Sequence, residues 1–202
     1  MPRPNRSAER RRELLPRIAQ AFADSGYRRT TTAGLARRCG VQETVLYRLW
    51  PDKKAMFTAC IDYIYQVSRS VWLSLLDQAP AGSSAAEHLL QYEAGHLGEL
   101  GMYRIVFAGL SETDDPEIRR HLRLMYRRFQ RFISVQVASH RRAAGAHARP
   151  GAEVAAWAIV GLGTVAYVGR ELDLLSAGEQ ALLIREAGRL LLEGRKGEFL
   201  RL

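Results

Sequence analysis

The sequence predicts an all-α protein with a small N-terminal domain of three helices and a larger helical C-terminal domain. Two observations predict this class: apolar residues recur at three- and four-residue spacing along the chain, and no stretch alternates apolar with polar residues as a half-buried strand does. A chain of 202 residues, 47% hydrophobic and 25% charged, can bury one large core or two small ones. The composition is therefore that of a globular chain and not of a fibrous or disordered one.

Positive charge is concentrated at the N-terminus. Residues 1–54 contain thirteen Arg and Lys against five Asp and Glu, a net charge of +8, whereas the other 148 residues contribute only +1 of the total +9. Such asymmetry is expected where one end of a chain neutralises phosphates. A solvated basic tail would explain residues 3–12, but not residues 28–54, whose basic side chains are interleaved with an ordered apolar pattern. The charge favours a nucleic-acid partner.

Apolar residues at helical spacing predict a first helix over about residues 14–25, with Gly26 behind it in left-handed backbone. Pro16 falls inside this pattern, where proline removes a backbone hydrogen bond and clashes with the preceding turn. We expect either that the helix starts near Leu15 with Pro16 in its first turn, or that it kinks at Pro16 and leaves the Arg-rich residues before it as a separate arm.

A short second helix is predicted next. Thr30 and Thr31 offer an N-cap, and the apolar face ends at Cys39 with Gly40 behind it. Since Gly40 can adopt the left-handed backbone that stops a helix, the chain is expected to turn there.

A third helix is predicted over residues 42–49, with Leu46 and Leu49 buried. Trp50 precedes a proline and is pushed out of helical geometry, and Asp52 then caps a fourth helix that starts at Lys53. Two short helices joined by a glycine turn make a helix-turn-helix at about residues 32–51, within a DNA-binding domain of residues 1–53.

The outer face of the third helix separates this motif from the many helical hairpins that bind nothing. The unburied side chains there can reach base edges or phosphates in a major groove, and they are Gln42, Glu43, Thr44, Tyr47 and Arg48. A merely solvated face would be richer in Glu and Lys. An aromatic hydroxyl such as that of Tyr47 has little reason to face solvent without a partner.

These residues also resemble a known family. The resemblance covers about residues 13–57 and rests on the fixed spacing of Gly26-Tyr27, Thr30-Thr31, Leu35-Ala36, Gly40-Val41, Leu46-Tyr47, Trp50 and Lys53. This pattern is similar to the N-terminal domain of the TetR family of repressors.

The resemblance implies a role for each matching residue. Thr31 would cap the second helix and touch a phosphate, and Tyr47 and Lys53 would grip the DNA backbone. The groove-lining residues that choose the DNA sequence would be Thr32, Gln42, Glu43, Thr44, Val45 and Arg48. Gln42, Thr44, Val45 and Leu49 depart from the family's common residues, which leaves the operator sequence open.

Residues 54–202 are predicted to be helical throughout, as an effector-binding and dimerisation domain. The predicted breaks are residues 80–84 after a long fourth helix, Asp114-Asp115-Pro116 before a seventh, a loop at residues 145–151, and residues 173–178 between the last two helices. The apolar stretch at residues 154–169 is shorter than the roughly 18 residues of a membrane span, and we interpret it as a buried helix. The sequence predicts no membrane partner.

The last two helices have more apolar surface than a domain of this size needs to bury internally, so a symmetric homodimer is expected to cover it. The resemblance implies the same pairing, through a four-helix bundle. The predicted interface residues are Ala155, Ala158, Gly161, Leu183, Ala187, Leu190 and Leu191. Pairing would also space two recognition helices for a palindromic operator.

Aromatic and polar residues are mixed in the middle of the chain, as they are both in ordinary cores and in ligand cavities. The resemblance favours a pocket for an unknown small-molecule effector, lined by Trp72, His88, Tyr92, His96, Met102, Tyr103, Phe107 and Tyr126. His88, Tyr92 and His96 share one helical face, but no third metal ligand is evident, so no metal or other cofactor is predicted.

A run of arginines follows on the seventh helix, with no acid between residues 118 and 152: Arg119, Arg120, Arg123, Arg127, Arg128 and Arg131. The interleaved aromatic residues predict that these arginines face solvent; lining the cavity instead, they would imply an anionic effector.

The remaining expectations concern compartment and class. Cys39 and Cys60 are predicted to be small buried thiols, and the absence of a secretory signal predicts a cytoplasmic protein. An enzyme is not expected, because no nucleophile with a base, paired carboxylates or metal ligand set is evident. The sequence thus favours a ligand-responsive repressor. The alternatives are a protein that binds nucleic acid by charge alone and a helical DNA-binding or interaction protein without an effector.

Overall fold

The structure is a computed structural model that describes residues 6–78, 84–98, 103–145 and 148–196, with only the backbone of residues 148, 195 and 196. Its helices are α1 (Arg6–Arg29), α2 (Thr32–Cys39), α3 (Glu43–Leu49), α4 (Lys53–Asp77), α5 (Ala85–His96), α6 (Tyr103–Leu110), α7 (Pro116–Ala143), α8 (Ala152–Glu171) and α9 (Ala177–Glu193). The predicted all-α class is confirmed.

One small sheet accompanies the helices. Strand β1 (Ala148–Arg149) pairs antiparallel with β2 (Arg195–Lys196), so residues 145–151 are not purely a loop as predicted. Two-residue strands carry no alternating pattern, and their pairing joins segments far apart in sequence. Periodicity therefore could not reveal them.

Helix α1 corrects both expectations about Pro16. The helix begins at Arg6, ten residues before the proline, and continues through it; the break lies at Gly26, whose φ is +72°. Burial of Leu14, Ile18 and Phe22 on either side of Pro16 stabilises the helix against the lost hydrogen bond. The Arg-rich residues from Arg6 onward belong to this helix and not to a separate arm.

The described residues fall into two compact units, residues 6–67 with 103–125 and residues 68–98 with 126–196. In the first unit α1 packs on α2, α3 and α6. Its core contains an aromatic cluster in which the Phe57 ring lies 5.0 Å from Phe22 and 4.8 Å from Tyr27. The helix-turn-helix therefore shares its unit with α6 and with the first part of α7, which the sequence placed in the second domain.

The start of α7 is capped as predicted. Oδ1 of Asp115 accepts hydrogen bonds from the backbone N–H groups of Glu117 and Ile118, and Pro116 is the first helical residue. Lys54 pairs with the same carboxylate at 3.0 Å and holds the pKa of Asp115 below its usual range. This pair ties the beginning of α4 to the beginning of α7.

In the second unit α5 and α8 both pack on α9. Ala86, Val137, Ala155 and Leu192 form a buried cluster, one residue each from α5, α7, α8 and α9. The interpretation of residues 154–169 as a buried helix is wrong: Val154 is 60% and Val165 63% exposed, because only one side of α8 faces the core. By length and composition α8 is also the one described helix that could cross a membrane, a property that core and interface helices share.

A buried arginine closes the end of α9. Arg141, on α7, donates to the carbonyl oxygens of Leu192, Leu191 and Pro150 at 2.9, 2.8 and 2.5 Å. The last carbonyls of a helix have no partner within it, so the guanidinium replaces the missing donors. Arg141 thus joins α7, α9 and the segment that carries β1.

Cys39 and Cys60 are both buried, as predicted. Burial raises the pKa of each thiol. Both therefore stay protonated and act as small apolar residues.

Candidate DNA-binding interface

The first helix of the motif is fixed at both ends by local chemistry. Oγ1 of Thr31 accepts a hydrogen bond from the backbone N–H of Gly34 at 3.1 Å, which confirms the predicted N-cap. Gly40 ends the helix in left-handed backbone, with φ of 68°. Thr30 does not share the cap; its buried hydroxyl donates to the carbonyl of Gly26 at 2.6 Å.

The second helix of the motif, α3, is held by its apolar side. Leu46 is fully buried and Leu49 is 6% exposed, as predicted. The Val41 N–H donates to the Ala36 carbonyl across the turn at 3.0 Å, and Trp50 leaves the helix in extended backbone. Helix α3 is therefore locked onto α2 in one orientation, which also fixes where its outer face points.

The side chains that were predicted to contact DNA are accessible to solvent. Five of the nine predicted DNA-contact residues are exposed and the other four are partly exposed: Thr31, Gln42, Thr44, Tyr47 and Arg48 in the first group, Thr32, Glu43, Val45 and Lys53 in the second. The Tyr47 hydroxyl donates to Oγ1 of Thr32 at 3.1 Å. This contact ties the tip of α3 to the first turn of α2, so the two hydroxyls form one polar patch.

Lys53 lies at the edge of the motif and points inward. Its ammonium donates to the carbonyl oxygens of Tyr27 and Thr30, each at 3.1 Å, and it lies over the Tyr27 ring at 4.4 Å from the ring centre. Lys53 therefore connects the start of α4 to the last turn of α1 and to Thr30, which follows it.

Two basic residues outside the prediction support the motif. Arg17 on α1 donates to the Cys39 carbonyl at the end of α2, at 3.2 Å, and Arg38 pairs with Asp24. No local signal in the sequence could have shown these contacts, because the partners lie 22 and 14 residues apart. They hold α2 against α1.

The predicted effector residues are divided between the two units. Tyr103 and Phe107 belong to the first unit, Met102 lies outside the described residues, and the second unit contains Trp72, His88, Tyr92, His96 and Tyr126. In the second unit Trp72 is buried and stacks on Phe132 at 4.9 Å between ring centres. His96 stacks on Tyr92 at 4.1 Å and is hydrogen-bonded to the Tyr92 carbonyl.

Sequence reasoning missed Glu93 in this region. The Trp72 indole N–H donates to its carboxylate at 2.6 Å. Burial raises the pKa of Glu93, and the Trp72 hydrogen bond and nearby His96 offset part of that effect. The spacing of Glu93 relative to His96 on α5 could have drawn attention to it, but one Glu on an amphipathic helix is a weak signal.

A surface cavity of about 290 Å³ lies elsewhere in the second unit, between α5 and α7. Ser84, Gln136 and His140 contribute to its lining, and the Ser84 hydroxyl lies 2.7 Å from Nδ1 of His140. None of the predicted effector residues that the structure describes lines it. Among the described residues, no group of three or more His, Cys, Asp or Glu could hold a metal ion.

The predicted dimer residues lie mostly on accessible sides of α8 and α9. Gly161 and Leu190 are exposed, and the partly exposed ones are Ala158, Leu183, Ala187 and Leu191. Ala155 is different: its side chain is fully enclosed by the core of its own subunit, so it cannot contact a partner. The six arginines of the α7 run, residues 119–131, are all exposed as predicted.

Comparison with known proteins agrees with this geometry. Residues 14–60 match the family model described as bacterial regulatory proteins, tetR family. A nucleoid occlusion factor, SlmA, from Marinomonas sp. is 42% identical over 60 residues, and another SlmA from Shewanella woodyi is 35% identical over 82. The first match spans 30% of this chain and 30% of the relative; the second spans 41% and 42%. The likeness to these relatives therefore covers less than half of either protein.

Similarity in fold extends over nearly the whole chain. A TetR-family transcriptional regulator from Cytophaga hutchinsonii aligns with a TM-score of 0.76 over 96% of this chain and 98% of its own, at 13% identity. A transcriptional regulator from Saccharomonospora viridis, solved in complex with choline, aligns with a TM-score of 0.72 over 92% and 96%, at 16% identity. Identities this low show the fold alone. Residues 14–60, which contain the helix-turn-helix, thus match the tetR family of bacterial regulatory proteins, and the rest of the chain shares the fold of solved TetR-family regulators.

Proposed function

We propose that the protein is a transcriptional repressor that binds palindromic operator DNA as a homodimer and is released by a small-molecule effector. The main observation in support is the solvent-facing side of α3, where Thr44, Tyr47 and Arg48 are exposed on a helix whose other side is buried. This face lies in the segment that carries almost all of the protein's net positive charge.

The face has the chemistry for both parts of DNA recognition. Arg48 can donate two hydrogen bonds to guanine, and the Gln42 amide can donate to N7 and accept from N6 of adenine. Thr44 and Val45 offer small contacts to thymine methyl groups. Thr31 and Tyr47 present hydroxyls suited to phosphate oxygens. We assign α3 to the major groove, and the predicted DNA-contact residues to the roles that the family resemblance implies.

A homodimer is supported by the apolar surface of the last two helices. Val154, Trp157 and Val165 on α8 are each about half exposed or more, and Leu182 and Leu190 on α9 are 55% and 72% exposed. An apolar surface of this extent is costly to leave in water. A two-fold partner would cover it and would place two copies of α3 about one DNA turn apart.

Control by an effector is supported by the aromatic interior of the second unit. Trp72 stacks on Phe132 and donates to the Glu93 carboxylate, and the Tyr126 hydroxyl is hydrogen-bonded to Thr164. The S. viridis regulator, which has a similar fold, was solved in complex with choline. A ligand that favours one arrangement of the dimer would weaken operator binding, and the operator would weaken ligand binding by the same factor.

The second candidate is a DNA-binding protein without a small-molecule effector. It is favoured by one observation: two of the relatives that match part of this chain, at 42% identity over 60 residues and 35% over 82, are named nucleoid occlusion factor. Either protein would act in the cytoplasm, where the chromosome lies. The two candidates differ only in whether a ligand of the second unit changes DNA affinity.

Fluorescence anisotropy with DNA from upstream of the protein's own gene tests the proposal. Tyr47→Ala and Arg48→Ala should each weaken specific binding by about 1–3 kcal/mol, or roughly 5- to 150-fold. The matched control is Arg119→Ala, which removes an exposed arginine of α7 in the same unit and should leave affinity unchanged. Binding that ignores DNA sequence, or that is unaffected by both α3 variants, would contradict the proposal.

A further inference from the structure

A carboxyl group lies beside a cluster of aromatic rings in the second unit, at Glu93 on α5. The Trp72 indole N–H donates to its Oε1 at 2.6 Å. The rings of Phe129 and Phe132, both on α7, pack on Trp72 with ring centres 5.5 and 4.9 Å away. The surroundings of this carboxyl are therefore mainly aromatic.

The charge of the Glu93 carboxylate is poorly compensated by the part of the chain that the structure describes. Its one hydrogen bond there comes from a neutral indole, and no Arg or Lys forms an ion pair with it. His96, three residues later, is a basic group that lowers its pKa, but His96 is exposed and its Nδ1–H donates to the Tyr92 carbonyl at 2.8 Å. Burial has the larger effect and raises the pKa, because a carboxylate out of water is costly without a partner of opposite charge.

The residues around this carboxyl form a recess and not a closed core. Protein atoms surround Glu93 densely enough to desolvate its carboxyl, yet the residue keeps part of its surface accessible. Phe129 and Phe132 are also partly exposed, whereas Trp72, on which they pack, is buried. Side chains that are enclosed on most sides and reachable from one are typical of the lining of a ligand site. We call Trp72, Glu93, Phe129 and Phe132 the Glu93 recess.

The chemistry of the Glu93 recess favours one class of small molecule. An anion would meet the like charge of Glu93, and a neutral molecule would leave that charge without a partner. A cation gains from the carboxylate and also from the faces of aromatic rings, which attract positive charge. Since the remaining lining is apolar, an apolar body attached to the cation would displace water from Phe129 and Phe132.

We infer that the Glu93 recess binds an organic cation as the effector, with the charged group of the ligand paired to Glu93 and its apolar part against Trp72, Phe129 and Phe132. This inference rests on the proposed control by an effector, and it names the chemical class of that effector. Glu93 then decides the charge of the ligand. The six arginines of the α7 run, which would have favoured an anion, are all exposed.

Three probes that differ mainly in charge test the inference by calorimetric titration of the full-length protein without DNA. The probes are 2-phenylethylammonium, 2-phenylethanol and phenylacetate, which carry a phenyl ring on a short chain and end in a cation, a hydroxyl and a carboxylate. The wild type should bind the cation at least about tenfold more tightly than the alcohol, because only the cation forms a charge pair in the recess. Phenylacetate should bind most weakly of the three.

The variant Glu93→Gln removes the charge and keeps the size of the side chain and an acceptor for the Trp72 N–H. Its affinity for 2-phenylethylammonium should fall at least about tenfold. Its affinity for 2-phenylethanol should stay the same, which also shows that the recess of the variant is folded. The matched control is Glu87→Gln, which removes an exposed acid from the same helix and should leave the affinities for both probes unchanged.

The inference is overturned if the wild type prefers the alcohol or the carboxylate, if it binds none of the probes, or if Glu93→Gln binds the cation like the wild type. Fluorescence anisotropy of operator DNA with and without the cation tests the proposed function separately. Cation binding that depends on Glu93 but leaves operator affinity unchanged would support the cation site and contradict its control of DNA binding. Sequence-specific operator binding by a protein that binds no cation would overturn the inference and leave the proposed DNA binding intact.

Discussion

The apolar face of α9 allows a quantitative prediction about assembly. Leu190 is 72% exposed in the single subunit, and complete burial of a leucine side chain contributes about 1.5–3 kcal/mol. If a partner covers it, Leu190→Ala removes about 1.5 kcal/mol of burial at each copy. Two-fold symmetry places the change twice in one interface, so the dimer should lose about 3 kcal/mol, or roughly 150-fold in its dissociation constant.

Sedimentation equilibrium of the full-length protein measures this constant directly. The matched control is Leu110→Ala at the end of α6, which removes a leucine 44% exposed in the other unit and should leave the constant unchanged. In the same variants, operator affinity at nanomolar protein should fall for Leu190→Ala only, since a monomer presents one α3. A Leu190→Ala protein that dimerises like the wild type would refute the placement of Leu190 in the interface.

Two further predictions concern the second unit. Arg141→Met removes three hydrogen bonds from a charged donor and also relieves the burial of that charge. The free energy of unfolding measured in urea should therefore fall by about 2–4 kcal/mol. The variant Arg142→Met, at the exposed neighbouring residue, should change it by less than about 0.5 kcal/mol. Equal stability of the two variants would show that the α9 end needs no cap. Because burial raises the pKa of Glu93, its contribution to stability is favourable at low pH and is lost as pH rises through the raised pKa. Glu93→Gln should therefore be at least as stable as the wild type at pH 7, and its melting temperature should depend less on pH between 4 and 7. A melting-temperature profile like that of the wild type would contradict the raised pKa of Glu93.

The helix-turn-helix could be predicted in detail because the residues that start and end its helices act locally. Thr31 caps a helix that starts one residue later, Gly40 ends it, and Asp52 accepts from the Ala55 N–H at the start of α4. Each signal lies within a few residues of the backbone group it satisfies. Side-chain type alone then indicated which face of α3 remains outside.

The features that were missed depend on contacts between distant segments. Arg141 meets backbone groups fifty residues away, and the strand β1 pairs with residues near the end of the described chain. The course of α1 through Pro16 depends on the packing of its buried face, which outweighs the local preference of proline. Likewise, apolar composition showed that α8 is a helix but not that half of it faces outward.

The packing of α1 on α6 has a consequence for building hybrid regulators. The compact unit around α3 includes residues 103–125, and Ile105 and Val106 of α6 are buried within it. A hybrid made by exchanging only the first sixty or so residues would place a foreign α1 against the native α6. A hybrid should therefore acquire the operator preference of its donor when the α6 residues that face α1 are transferred together with the helix-turn-helix.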